Sequence, residues 1–351
     1  MKTMIRNKSN NNNSSKKVII IEFYNYHSEC IYPQVIYLTK SGYEVEVICS
    51  NNTLVNIEYL NKICKIKAYN FSKTTSYIKL WFYLLKERKN TSAVILNTAQ
   101  GSKVLKFTVL PFFKSINFFG IIHNLKKLEK SKGQKLISRK ISKYLVIAEY
   151  LKDTEIGKKY QIPSINTSLF PNFELCETIE KGNDIWIAIP GNIEIKRRDY
   201  NWLIDTCQNY KLSNIKFILL GNSKKGDGIY VIQRIKDLNL ENQFLWFDSF
   251  IKQETFNTYI EKSDYLLPLL NPDSNEYLKY KLSGIFTLSE AFNKPMILHS
   301  NFKLLEKYYC CLFYNNLDDF ISLISTKPNV ECKSIDFEKN RIKYLEAIQL
   351  L

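Results

Sequence analysis

An α/β protein made of two doubly wound domains in tandem is the fold class this sequence predicts, and three observations predict it. Continuous β-branched or apolar runs recur along the chain, as in Lys17–Tyr24 (KVIIIEFY), Ile185–Pro190 (IWIAIP) and Ile215–Leu220 (IKFILL). Such runs suit parallel strands buried on both faces. Stretches at helical spacing separate them, so successive strands need crossovers and pair in parallel. The chain has 351 residues, more than one ordinary core organises, and it fits two domains of about 170 residues each.

The elements follow in order. Residues 1–16 are polar, with an Asn-Ser run at Asn10–Ser15, and predict a disordered tail. Lys17–Tyr24 is a strand, Asn25–Cys30 a loop, and a helix runs from Pro33 to Lys40 and ends at Gly42. Tyr43–Cys49 is the next strand, completing one βαβ unit. Helices over Ile78–Arg88, Ser102–Phe113 and Lys126–Ser142 then alternate with strands over Ala93–Asn97, Asn117–His123 and Tyr144–Ile147. Pro163–Phe173 lacks periodicity and Glu177–Asp184 is polar, so residues 17–173 form a first domain and 174–184 a linker. A second domain, 185–335, alternates strands at Ile185–Pro190, Ile215–Leu220, Phe244–Phe247, Tyr265–Leu270 and Met296–Leu298 with helices at Tyr200–Tyr210, Ile229–Leu238 and Glu254–Lys262. A short helix over Leu317–Ser325 and a C-terminal helix in residues 336–351 complete the chain.

Composition narrows the partners. The net charge is +16, and the excess is confined to one half. Residues 1–175 hold 28 Lys and Arg against 11 Asp and Glu, a net +17; the other 176 hold 22 against 23. A basic half beside a near-neutral half suggests a domain that meets an anionic surface or ligand. Within Lys103–Lys143, Phe107, Phe112, Phe113, Phe118 and Phe119 alternate with lysines and suggest a membrane-docking region. No apolar run reaches transmembrane length, and no secretory signal is visible. The eight cysteines include no C-x-x-C, which predicts reduced cytosolic thiols without a zinc site or disulfide framework.

Two stretches carry candidate chemistry. In Pro190–Tyr200 (PGNIEIKRRDY), Gly191 leaves a strand and Lys196, Arg197 and Arg198 are consecutive cations, suited to a diphosphate. A solvated basic turn before a helix is the plain alternative. In Ser283–Leu298 (SGIFTLSEAFNKPMIL), Ser283 and Gly284 open a helix whose N-terminus suits a phosphate. Glu290 lies two turns along, able to accept hydrogen bonds from a ribose or to be an ordinary helix residue.

The ordered set PGNIEIKRRDY, then FILLGN (Phe217–Asn222), SDYLLPL (Ser263–Leu269) and SGIFTLSEAFNKPMI resembles the nucleotide-binding domain of GT-B glycosyltransferases. It is most similar to the retaining glycosyltransferase family 4 group. The likeness covers about residues 183–300 well and 17–173 more weakly. It implies a GT-B fold of two Rossmann-like domains facing a central cleft, and transfer of a sugar from a nucleotide-sugar donor to a glycan or lipid-linked acceptor in surface polysaccharide synthesis. It implies no metal or other cofactor. Arg197, with Lys196 or Arg198, would hold the diphosphate, near Gly191, Asn192, Gly221, Ser283, Gly284 and Leu288, and Glu290 would meet the ribose. The partner of Glu290 in the family's glutamate pair falls on Leu282, so the pair is incomplete. His123, at a strand end of the first domain, would stand near the transferred sugar, and Asn25, His27 and Glu29 near the acceptor. The thiols and the missing secretory signal suggest the cytoplasm, and the basic first half fits a lipid-linked acceptor, with the protein peripheral on the inner face of an anionic membrane.

Other readings remain. A nucleotide-sugar epimerase of the same fold would need cleft carboxylates and histidines that this chain supplies less clearly. Leu282 leaves room for a non-catalytic relative. A nucleic-acid-binding protein could use the basic half, but no recognition motif is visible and no nucleic-acid partner is expected.

Overall fold

The computed structural model describes residues 16–111, 116–172, 174–210 and 212–351. The expected tail therefore lies outside the described residues except for Lys16, as do Phe112 and Phe113 of the docking region and Phe173 of the linker boundary.

The β-branched runs become two six-stranded parallel sheets. In the first, the order is β3-β2-β1-β4-β5-β6. Its strands are β1 Lys17–Glu22, β2 Glu44–Ser50, β3 Lys65–Tyr69, β4 Thr91–Leu96, β5 Asn117–Ile121 and β6 Lys143–Leu145. In the second, the order is β12-β11-β10-β7-β8-β9. Those strands are β7 Ile185–Pro190, β8 Ile215–Asn222, β9 Phe244–Phe247, β10 Tyr265–Leu266, β11 Met296–His299 and β12 Cys311–Tyr314. Strand order reverses beside β1 in one sheet and beside β7 in the other, and ligands of doubly wound sheets bind at the carboxyl ends flanking such a reversal.

All six residues of β1 and of β7 are buried, as strands covered by helices on both faces must be. Around β1, Ile19, Ile21, Leu80, Val94, Leu96 and Phe118 form a core. Around β7, Ile187, Ile189, Leu203, Phe217, Leu219 and Val231 form a second. Each fully buried aliphatic side chain contributes about 1.5–3 kcal/mol by leaving water.

The chain groups into two units. The first comprises residues 16–121, 131–144 and 344–351; the second comprises 122–130 and 145–343. Residues 145–173, expected in the first domain, thus group with the second sheet. The helix Phe337–Ala347 leads the chain back, and Tyr344 and Ile348 are buried in the first unit.

Several expectations are corrected. β3 and β12 were not foreseen. β3 reads KIKAY, whose alternating lysines obscure a strand that sits at the sheet edge, where such charges are tolerated. The basic helix Lys126–Ser142 is two short helices, Lys126–Lys130 and Lys132–Ser138. Cys310 and Cys332 form a disulfide, with Cα atoms 5.4 Å apart, whereas reduced thiols were expected throughout. Tertiary folding brings together residues 22 apart, which no short spacing announces. Phe107, Phe118 and Phe119 are buried core residues, so they offer nothing to a membrane. Among the described residues no helix is long and apolar enough to cross a membrane.

Candidate functional site

In the second unit, the loop after β7 is shaped by one cation and leaves two exposed. Gly191 has φ 103°, a left-handed conformation that glycine adopts without strain. The Arg198 guanidinium folds back and donates to the Pro190 carbonyl. A Cβ on Gly191 would stand 3.0 Å from Arg198 Nη2, so the glycine also makes room for that return. Asp199 accepts from Trp202 N at 3.0 Å and caps the helix Tyr200–Asn209, while its own N–H donates to Leu269 O at 2.9 Å. These contacts fasten the loop to the segment that follows β10. Gly221 permits a further close approach, because a Cβ there would lie 2.4 Å from the Gly191 carbonyl.

Lys196 and Arg197 remain exposed on this loop. Arg197 Nε lies 3.3 Å from Glu194 Oε2, a solvated pair worth little and easily exchanged for an anion. Asn192 is exposed and reaches Glu194 Oε1 at 3.4 Å. Arg198 is half-buried and committed to the loop, so of the three cations only Lys196 and Arg197 are presented to solvent.

The helix Gly284–Ala291 starts as expected. Ser283 is its N-cap residue, but its side chain caps no N–H group. Gly284 is exposed, with open space where a Cβ would be. The positive dipole end lies at this exposed glycine, while Phe286 N is already bonded to Ser283 O at 3.0 Å. Leu288 is buried on the same helix and presents no polar atom.

Glu290 lies near the other end of this helix, roughly 9 Å along its axis from Gly284. Its Oε2 accepts from Ser168 Oγ at 2.6 Å and from Asn166 Nδ2 at 3.4 Å. Burial pushes the Glu290 carboxyl above its ordinary range; Ser168 and Asn166 pull it down, and Glu149 pushes it up. Cavities of ≈ 420 and ≈ 900 Å³ both include Glu290 in their walls.

His123 is buried and follows β5 in a segment that belongs to the second unit. That segment is anchored to the stretch preceding the uncapped helix. Leu125 N donates to Tyr280 O at 3.0 Å, and Tyr150 Oη donates to Lys281 O at 2.6 Å.

Asn25, His27 and Glu29 lie in the first unit, on the turn after β1 at the strand-order reversal. Asn25 and Glu29 are exposed, and His27 Nδ1 is 3.3 Å from Glu29 Oε1. Beneath this turn is a cluster that the sequence reading missed. Glu22, with no exposed surface, accepts from Tyr24 N at 2.8 Å, Asn97 Nδ2 at 2.7 Å and Thr98 Oγ1 at 2.6 Å. A glutamate within the apolar run KVIIIEFY was the available signal, since a charge there must be buried and hydrogen-bonded.

Among the described residues no group of three or more His, Cys, Asp or Glu side chains is arranged to hold a metal.

Two parallel Rossmann-like sheets with flanking helices, in two units, define the GT-B fold. No family model matches the chain, and no curated protein matches it in sequence. Among solved structures it is similar to HepE of Anabaena in complex with UDP, at 9% identity and a TM-score of 0.64, covering 95% of this chain and 100% of that one. It is similar to a glycosyltransferase of Rickettsia africae, at 13% identity and 0.60, covering 96% and 95%. MnaA of S. aureus, solved with UDP, shares 10% identity and scores 0.57, covering 96% and 98%.

Proposed function

We propose that this chain is a glycosyltransferase that moves a sugar from a nucleotide-sugar donor to a glycan or lipid-linked acceptor in surface polysaccharide synthesis. One observation carries the reading. In the second unit, the exposed cations Lys196 and Arg197 lie in the loop that leaves the carboxyl end of β7, the strand at the order reversal. UDP complexes of similarly folded proteins make a uridine nucleotide the first donor to try.

Lys196 and Arg197 hold the diphosphate, and the N–H groups at the helix start take its oxygens. Charge that grows on the departing diphosphate then meets fixed cations and a dipole, which is electrostatic stabilisation without a divalent ion. His123 contacts the transferred sugar, and the turn Asn25–Glu29 receives the acceptor. Transfer proceeds with retention, the acceptor hydroxyl attacking from the face that the diphosphate leaves. Glu290 meets the ribose by exchanging its bond from Ser168 or Asn166.

The acceptor reading extends to location: a cytoplasmic protein, peripheral on the inner membrane face. In the first unit, Phe82, Val109 and Leu136 are 59%, 78% and 49% exposed, and Lys79, Lys86, Lys106 and Lys135, within four residues of them in sequence, are exposed too. Apolar tips among cations suit an anionic bilayer. Flotation with anionic but not neutral liposomes, lost at high salt, is the expected result; no flotation removes the docking.

The test of the donor reading is thermal shift with UDP, GDP, CDP, ADP and TDP in EDTA. A ligand that binds only the folded state raises Tm by mass action. One diphosphate should stabilise the protein without metal. No shift with any of them sinks the reading, and an epimerised nucleotide sugar formed without acceptor would replace it.

A further inference from the structure

The turn after β1 is shaped from below by a buried polar chain. Asn97, with no exposed surface, uses one amide hydrogen on Glu22 Oε2 at 2.7 Å and the other on the His27 carbonyl at 2.8 Å. Its Oδ1 accepts from Gln34 Nε2 at 2.7 Å, and Gln34 Oε1 accepts from Tyr344 Oη at 3.1 Å. The turn needs such a brace. His27 has φ 62°, a left-handed conformation that costs a non-glycine residue on the order of 1 kcal/mol or more.

The partners of Glu22 all donate: the Tyr24 N–H on one oxygen, Asn97 and Thr98 on the other. An ionised carboxylate accepts strongly from all three donors, whereas a protonated one accepts more weakly and adds an O–H that must itself find room and an acceptor among groups that donate. The titratable and charged groups around it are His27 on the turn, Tyr24 and Tyr26, Cys49 on β2, and Lys103, which donates to the Phe23 carbonyl at 3.0 Å.

We propose that Glu22 is a positioning residue for acceptor capture: its ionised carboxylate orients Asn97, and Asn97 fixes the His27 carbonyl and with it the turn Asn25–Glu29. The inference rests on reading that turn as the acceptor-binding element. Burial pushes the Glu22 carboxyl up to about 7, against the pull of Thr98, Asn97 and Tyr24, so the brace responds to pH near neutrality.

Hydrogen exchange across residues 25–31, followed from pH 5.5 to 8.5 and corrected for intrinsic rates, tests it. In the wild type, protection should fall about tenfold as Glu22 is protonated, the worth of roughly one hydrogen bond. Glu22→Gln should show no such pH step. Asn97→Ala should show low protection at every pH, and it decides the matter should Glu22→Gln not fold. UDP affinity should match wild type in both variants. An equal pH step in wild type and Glu22→Gln overturns the proposal, as does unchanged protection in Asn97→Ala. Loss of UDP binding by the wild type would instead count against the donor reading and leave this result standing.

Discussion

The Ser168 hydroxyl donates to the Glu290 carboxylate at 2.6 Å, so the glutamate proposed to meet the ribose is already engaged by its own chain. Ser168→Ala removes a contact that lowers the Glu290 pKa, and the group should titrate at still higher pH. The acidic limb of UDP affinity should move upward in Ser168→Ala and vanish in Glu290→Gln. Isothermal titration across pH checks both. An unchanged acidic limb in Glu290→Gln would take Glu290 out of the site.

Arg197 and Arg198 should separate cleanly. Arg197→Ala removes an exposed, charge-assisted contact and should weaken UDP binding by about 10- to 100-fold with little change in Tm. Arg198→Ala leaves the Pro190 carbonyl without its guanidinium partner and should cost about 1–3 kcal/mol of stability. The opposite assignment, affinity lost at Arg198 and stability at Arg197, would reverse the account of the loop.

A second buried carboxylate sets an acid limit on the first unit. Glu46, its side chain fully buried, pairs with Lys67 at 2.8 Å and Lys17 at 3.3 Å and accepts from Tyr83 Oη. Burial raises its pKa, but Lys67, Tyr83 and Lys17 outweigh that, and the net shift is downward. A lowered folded value means that its stabilisation is complete above the unfolded value of 4.5 and is lost as pH falls through the folded one. Glu46→Ala takes the carboxylate from Lys67 and Tyr83, while Lys17 keeps Glu87 at 3.0 Å, so it should cost about 1–3 kcal/mol in denaturant unfolding at pH 7, and the penalty should shrink in acid.

The disulfide gives a chemical count. Alkylation of the unfolded protein without reductant should label six cysteines, and eight after reduction. Cys332→Ser should destabilise the second unit by about 3 kcal/mol, the scale for a loop of some twenty residues. Eight labelled thiols without reductant would remove the bond.

Parallel strands with long apolar runs were legible because burial on both faces leaves no polar alternation: β1, β7 and β8 could be placed by composition alone. β3 was hidden by Lys65 and Lys67, whose charges are acceptable at an edge. The exposed cations at 196–197 and the helix start at Ser283 lay in contiguous motifs, so their chemistry could be read in order. The half-buried Arg198, the Ser168–Glu290 bond and the Glu22–Asn97–Gln34–Tyr344 chain join residues up to 310 positions apart, and no local pattern encodes such meetings.

That last chain bears on how the protein is made. Tyr344, Ala347 and Ile348 fill the first unit from the far end of the sequence, and Tyr344 closes the polar chain under β1. Strands β1 to β6 therefore cannot complete their core until some two hundred residues beyond β6 have been synthesised. Until then the carboxamide of Gln34 lacks its phenol partner, and the nascent first unit is exposed to chaperones and proteases. A nascent-chain series released at residue 343 should be protease-sensitive in the first unit, and one released at 351 resistant.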